Sequence, residues 1–282
     1  MKYLSGATGY TILEKENKTV ILLADIHDGV SYCLQNSSEK VDIDVFLKDK
    51  SSTHQVVLEE SLNEMENLTD LWPNAVHTRK LKELKEKNDD ILPTDIRPYL
   101  IPFSWQLAES NDNYKKLKIN KYLYYFKIFF NKKGKVYERY IFPYYEYIDQ
   151  NDRLQLINIF IFIEDLFLKT YQKYDGLTIE EILSKDEDYM YSIDNINSLI
   201  MEYYILLLIL SDKRDSVIHT GLAHSTRIKS ILKEEFGYEI KEDHGMTHIS
   251  QYTGSDSTKA CILNPKFSEF FSKKKNLSLF ND

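Results

Sequence analysis

The chain has 282 residues and a mass of 33.3 kDa, with 43% hydrophobic and 28% charged residues. This is the composition of a globular protein long enough to bury its own core. A formal net charge of -8 argues against a nucleic-acid-binding protein, which carries a basic field. Two cysteines, Cys33 and Cys261, are too few for a disulfide framework, so a reducing, cytoplasmic setting is expected. The opening "MKYLSGATGY" has no apolar leader. The most apolar runs, "LINIFIFIEDLFL" and "LIMEYYILLLIL", are interrupted by acid or too short for a bilayer, so they read as buried helices. The wealth of Tyr, Asn, Lys and Ile fits AT-rich coding, as in a virus or a low-GC bacterium; a viral protein would work in the host cytoplasm.

Residues 10–14 and 19–26 read as a β-hairpin whose second strand, "TVILLADI", is apolar enough to be covered on both faces. A short amphipathic helix is expected over 41–50, then a buried strand "HQVVLEES". A helix over 74–87 follows, with Val76, Leu81 and Leu84 on one face. "DDILPTDIRPYL" reads as a short strand ended by prolines. Residues 114–150 hold nine Lys/Arg against three Asp/Glu, and thirteen Tyr or Phe. Helices are expected over 153–174 and 195–213, with Thr178 and Glu181 forming a capping box between them. "DSVIHT" then reads as a strand, "STRIKSILKEEFG" as a helix closed by Gly237, and "YEIKE" as a strand. The pattern is that of a single α/β domain over 1–282, a mixed or parallel sheet flanked by helices, with an aromatic-rich helical insertion at about 110–211 between its halves.

Two strand ends resemble each other. "VILLADIH" over "VIHTGLAH" matches Ala24 with Gly221 and His27 with His224, each a small residue three positions before a histidine. Four expected strands end in ionisable residues: Asp25, His27 and Asp28; Glu59 and Glu60; Asp95 and Arg97; His219 and His224. In an open α/β sheet the carboxyl edge is where ligands bind, so these groups could share one cleft. A set of histidines and carboxylates can hold a divalent metal (Mn, Zn, Co or Fe) through His27, Asp25, Glu59 and His224. The same groups can instead work without a metal, with His27, Glu59, Glu60 and His224 as acid–base candidates and Arg97 steadying an oxyanion. The plainer alternatives are that the histidines cap helices and that Arg97 forms a structural ion pair with Asp95 or Glu59.

His219, inside its strand, reads as buried and satisfied by a neighbour. His244 and His248, four apart, read as a loop, and His54 and His77 as surface residues. Cys33 reads as a small buried residue. The 114–150 block reads either as a nucleic-acid or membrane surface or as an amphipathic segment packing its rings on the core, and its position also suits a lid over the cleft.

The ordered set "ADIH", "VVLEES", "DIRP" and "GLAH" resembles the superfamily of erythromycin-esterase-like proteins, ChaN-like haem-associated lipoproteins and TraB/TIKI proteases, over about 17–107 and 214–242. The resemblance implies a metal-assisted or His/Glu-based hydrolase of an ester or amide bond, acting on a small molecule or peptide. Ala24 and Asp25 depart from its first motif, which has glycine and, in some members, glutamate. That departure bears on activity, and it leaves a non-catalytic protein on the same scaffold, binding haem or another ligand or contacting a host, as the alternative.

Overall fold

A computed structural model describes residues 3–26, 31–33, 39–62, 76–103, 107, 110–254 and 258–263. Its centre is a six-stranded mixed sheet in the order β7-β6-β8-β3-β2-β9. The strands are β2 (Gly9–Lys15), β3 (Lys18–Asp25), β6 (Gln55–Ser61), β7 (Ile91–Asp95), β8 (Ser216–Gly221) and β9 (Glu239–Gly245). β7, β6, β8 and β3 are mutually parallel, so their carboxyl ends share one edge. β2 returns antiparallel through the hairpin and pairs with β9 on its far side.

The strands alternate their side chains between two cores. On one face Ile21, Leu23, Val56 and Val217 pack with Phe46 and Leu47 of α1 (Ile43–Ser51) and Leu81 of α2 (Val76–Glu86). On the other, Val20, Leu22, Val57 and Ile218 pack with the helical insertion and with Ile228 and Leu232 of α7 (Leu222–Glu234). Burial on both faces explains why β3 and β8 read as unbroken apolar runs. Pro93 lies within β7, which is tolerated because β7 is the last strand at that edge. β9, at the other edge, is largely exposed and carries Glu239, Lys241, Glu242 and Asp243.

The insertion is helical, as expected. α3 (Tyr124–Phe130), α4 (Gln150–Lys173), α5 (Ile179–Leu183) and α6 (Tyr189–Ser211) are its principal helices. α5 starts with the expected capping box of Thr178 and Glu181. α6 is long and apolar enough to cross a membrane, and most of it is buried inside the protein, where it packs beside α4 and against Arg97–Tyr99 and β7. The aromatic block supplies that core: Phe126 stacks on Phe167 and Phe160 meets Tyr203. α7 ends before Gly237, whose φ of +71° is the left-handed conformation expected of a helix-closing glycine.

Three expectations are corrected. Cys33 and Cys261 form a disulfide across a separation of 228 residues. A second, four-stranded sheet, β4-β10-β1-β5, makes this possible: β4 (Ser31–Tyr32) runs beside β10 (Lys259–Leu263), β10 pairs with β1 (Tyr3–Ser5), and β1 with β5 (Lys40–Asp42). The reducing setting inferred from a low cysteine count therefore loses its basis. His54 is buried rather than on the surface, with Nδ1 2.7 Å from the Thr53 hydroxyl; burial holds its pKa below the usual histidine value. His244 lies within β9 and packs on the Tyr10 ring rather than in a loop.

Candidate functional site

The parallel strand ends deliver their ionisable residues to one place, and α6 closes over them. Glu59, near the end of β6, is the hub. Its Oε1 accepts from Arg97 Nη2 at 2.9 Å and lies 3.3 Å from His224 Nε2. Its Oε2 accepts the backbone N–H of Gly221 at 2.7 Å. Gly221 is the N-cap of α7, so this carboxylate also takes the place where the helix dipole favours negative charge. Arg97 follows β7 and is gripped by Asp95: Nε donates to Oδ1 at 2.7 Å and Nη2 to Oδ2 at 3.0 Å. His224 lies in the first turn of α7.

The second carboxylate comes from the insertion. Glu202 of α6 accepts from His224 Nδ1 at 2.6 Å, and Arg227 Nε donates to its two oxygens at 2.7 and 2.9 Å. Arg227 Nη1 donates to Asn195 Oδ1 at 3.1 Å. Arg227 and His224 are one turn apart on α7, so both meet the same acid. Glu59, Asp95, Arg97, Glu202 and His224 are all nearly inaccessible, while Arg227 is 35% exposed at its side chain and marks the side of the cluster nearest solvent. Asp194, also on α6, is within reach of the charges of Arg97 and His224; burial raises its pKa, and those two cations hold the rise down.

Cations and carboxylates alternate through the cluster: Asp95, Arg97, Glu59, His224, Glu202, Arg227. Burial alone would push the His224 pKa down, but the Glu59 and Glu202 carboxylates outweigh it and raise the pKa to about 9. At neutral pH this favours the imidazolium, whose Nδ1 and Nε2 lie 2.6 Å from Glu202 Oε1 and 3.3 Å from Glu59 Oε1, with Arg97 Nη1 3.5 Å from Nε2. Against its burial, the guanidinium of Arg97 is held charged by Asp95 and Glu59.

A pH dependence follows. Because the folded-state pKa lies above the unfolded value near 6.5, the protonated form favours folding. That contribution is complete below about pH 6.5 and is lost as pH rises through about 9. The loss is expected to be on the order of 3 kcal/mol, read from urea denaturation at a series of pH values between 6 and 10.

Glu59, Arg97 and His224 are thus brought together, and both ion-pair partners named for Arg97 are present. Asp25 is buried at the end of β3, opposite Gly221 in the parallel register. That register sets Ala24 against Thr220, one residue away from the matching suggested by the strand-end resemblance. Glu60 is half-buried beside Glu59. His27, Asp28 and the side chain of His77 lie outside the described residues. His219 is buried in β8 with Nε2 3.3 Å from the Gly6 carbonyl oxygen, as a satisfied core histidine. His248 caps a short 3-10 turn through Ser250.

Glu202, Arg227 and Asp194 were not foreseen as site residues. The visible signal for Glu202 is a lone acid inside "LIMEYYILLLIL": a carboxylate in a fully buried helix needs a charged partner. Compared with family models, curated proteins and solved structures, the chain matches none.

Proposed function

We propose that the chain is a hydrolase of an ester or amide bond in a small molecule or peptide, working at the carboxyl edge of β3, β6, β7 and β8. The observation that carries this reading is the Arg97–Glu59–His224 arrangement, two cations held side by side by one carboxylate where parallel strands end. In this role Arg97 and the His224 imidazolium stabilise the oxyanion that forms when water adds to the carbonyl carbon. Glu59 and Glu202 position them. His27, two residues beyond Asp25, is the candidate base that takes the proton from water, with Glu60 the other candidate; the leaving oxygen or nitrogen regains that proton.

We favour a metal-free site. The donors offered by Glu59 and His224 do not suit a divalent cation, since both Glu59 oxygens accept from N–H groups and both ring nitrogens of His224 face carboxylates. Metal ligation needs the neutral ring. Among the described residues no group of three or more His, Cys, Asp and Glu is arranged to hold a metal.

A second reading is favoured by the same network. Its charges satisfy one another without a ligand, as expected of a scaffold whose site binds or contacts without catalysing. A panel of aryl esters and peptides separates the two. A hydrolase turns over at least one of them, and His27→Ala lowers kcat by roughly 10²–10⁴-fold with an unchanged melting temperature. Absence of turnover across the panel, with or without Mn, Zn, Co or Fe, selects the non-catalytic reading.

A further inference from the structure

We propose that Asp194 and Asn197, one turn apart on α6, receive the α-ammonium group of the molecule that enters the cleft, so that its ligands are esters and amides of amino acids, the amino end of a peptide included. Cleavage of the bond rests on the hydrolase reading above; binding of the ammonium group does not. The carboxylates of Asp95, Glu59 and Glu202 are engaged by Arg97, His224 and Arg227. These three acids and three cations cancel in charge. Asp194 is a fourth acid, half-buried and within reach of that cluster. Among the described residues it takes part in no hydrogen bond or ion pair.

The setting of Asp194 works against its own charge. Burial raises its pKa, and the charges of Arg97 and His224 do not offset the rise. An arriving cation removes that cost, so it gains more here than beside a fully hydrated acid. Asn197 supplies a second acceptor. It is 1% exposed, and its Oδ1 is buried without a donor, a condition that native structures relieve with a ligand or a water. Residues three apart on a helix are surface neighbours, so the two unmet acceptors adjoin.

An ammonium group carries three N–H donors and a full positive charge. It can therefore answer a carboxylate and an amide oxygen together, and a hydroxyl brings no charge to the first of them. The α position follows from the neighbours. Arg97 and His224, whose charges reach Asp194, are the groups that hold the carbonyl oxygen in the proposed reaction. α6 packs against Arg97–Tyr99 and β7, which keeps the two ends of such a ligand close. A single carbon between ammonium and carbonyl meets that requirement.

The test is titration of the full chain at pH 7 with L-alaninamide and with N-acetyl-L-alaninamide, followed by NMR at the His224 ring and the Asn197 side-chain amide. L-Alaninamide is expected to shift these signals saturably, and the uncharged acetylated compound to bind at least about 10-fold more weakly. Asp194→Asn keeps the shape and breaks no hydrogen bond, so the fold should hold while L-alaninamide binding weakens about 10–100-fold. Asn197→Leu should weaken it several-fold. No saturable shift up to about 20 mM overturns the proposal, as does equal binding of the two compounds or wild-type affinity in Asp194→Asn. Turnover of L-alanine p-nitroanilide and its N-acetyl derivative separates this proposal from the hydrolase reading. A preference for the free amine that Asp194→Asn removes supports both. Selective binding of L-alaninamide with no turnover of either anilide or of the ester panel keeps the ammonium site and sinks the hydrolase. Equal turnover of the two anilides keeps the hydrolase and overturns the ammonium site.

Discussion

Glu202→Ala is expected to destabilise the protein by about 3–5 kcal/mol, the usual consequence of removing one member of a buried ion pair. Glu202 is 1% exposed and is the carboxylate shared by His224 and Arg227. Without it, His224 remains buried with Glu59 as its contacting counter-charge and the charge of Asp194 beyond it. Arg227, being part-exposed, can turn to water, so most of the cost falls on the histidine. Two measurements check this together. Urea denaturation at pH 7 gives the stability loss, and histidine NMR titration should show the His224 pKa falling well below its wild-type value of about 9. Glu202→Gln should recover part of the stability by keeping a hydrogen bond to Nδ1, but not the raised pKa. A stability loss without a pKa change would mean that Glu202 serves only packing.

Breaking the Cys33–Cys261 disulfide is expected to cost a similar amount. The bond closes a loop of more than 200 residues, and in the chain-entropy account a loop of that length is worth about 5 kcal/mol, with native disulfides commonly delivering 2–5. Cys261 lies in β10, whose pairing with β1 and β4 unites the two ends of the described chain. Cys33→Ser/Cys261→Ser, compared with the oxidised wild type, should therefore lower the melting temperature by roughly 5–15 °C for a protein of this size. Reduction of the wild type should reproduce the shift. Equal melting temperatures in oxidised, reduced and substituted protein would mean the thiols are not bonded in solution.

The sheet was legible because burial on both faces writes itself as apolar runs, and because polar residues resume where each strand leaves the core. β3, β6 and β8 announce themselves in this way, and their shared carboxyl edge follows from the helices between them. Glu59, Arg97 and His224 were findable for the same reason. The four-stranded sheet was not: β1, β4 and β5 have two or three residues each, too few to show a period, and their pairing depends on residues 259–263. The disulfide was hidden with it, since a pair of cysteines has no local signature. Glu202 escaped because an apolar run argues for burial as a whole, and the one acid within it reads as an interruption until Arg227 and His224, on another helix, are seen to need it.

The two margins of the large sheet differ in chemistry but act alike. At the β7 margin Pro93 removes a backbone donor from the outward ladder. At the β9 margin a strand approaching from another molecule would have to lie along the charged residues Glu239, Lys241, Glu242 and Asp243, stripping water from them. Natural sheets use these same devices against edge-to-edge growth. Fibril-like stacking of folded molecules is thereby disfavoured at both margins, so a concentrated solution is guarded against strand addition and left with contacts between side chains.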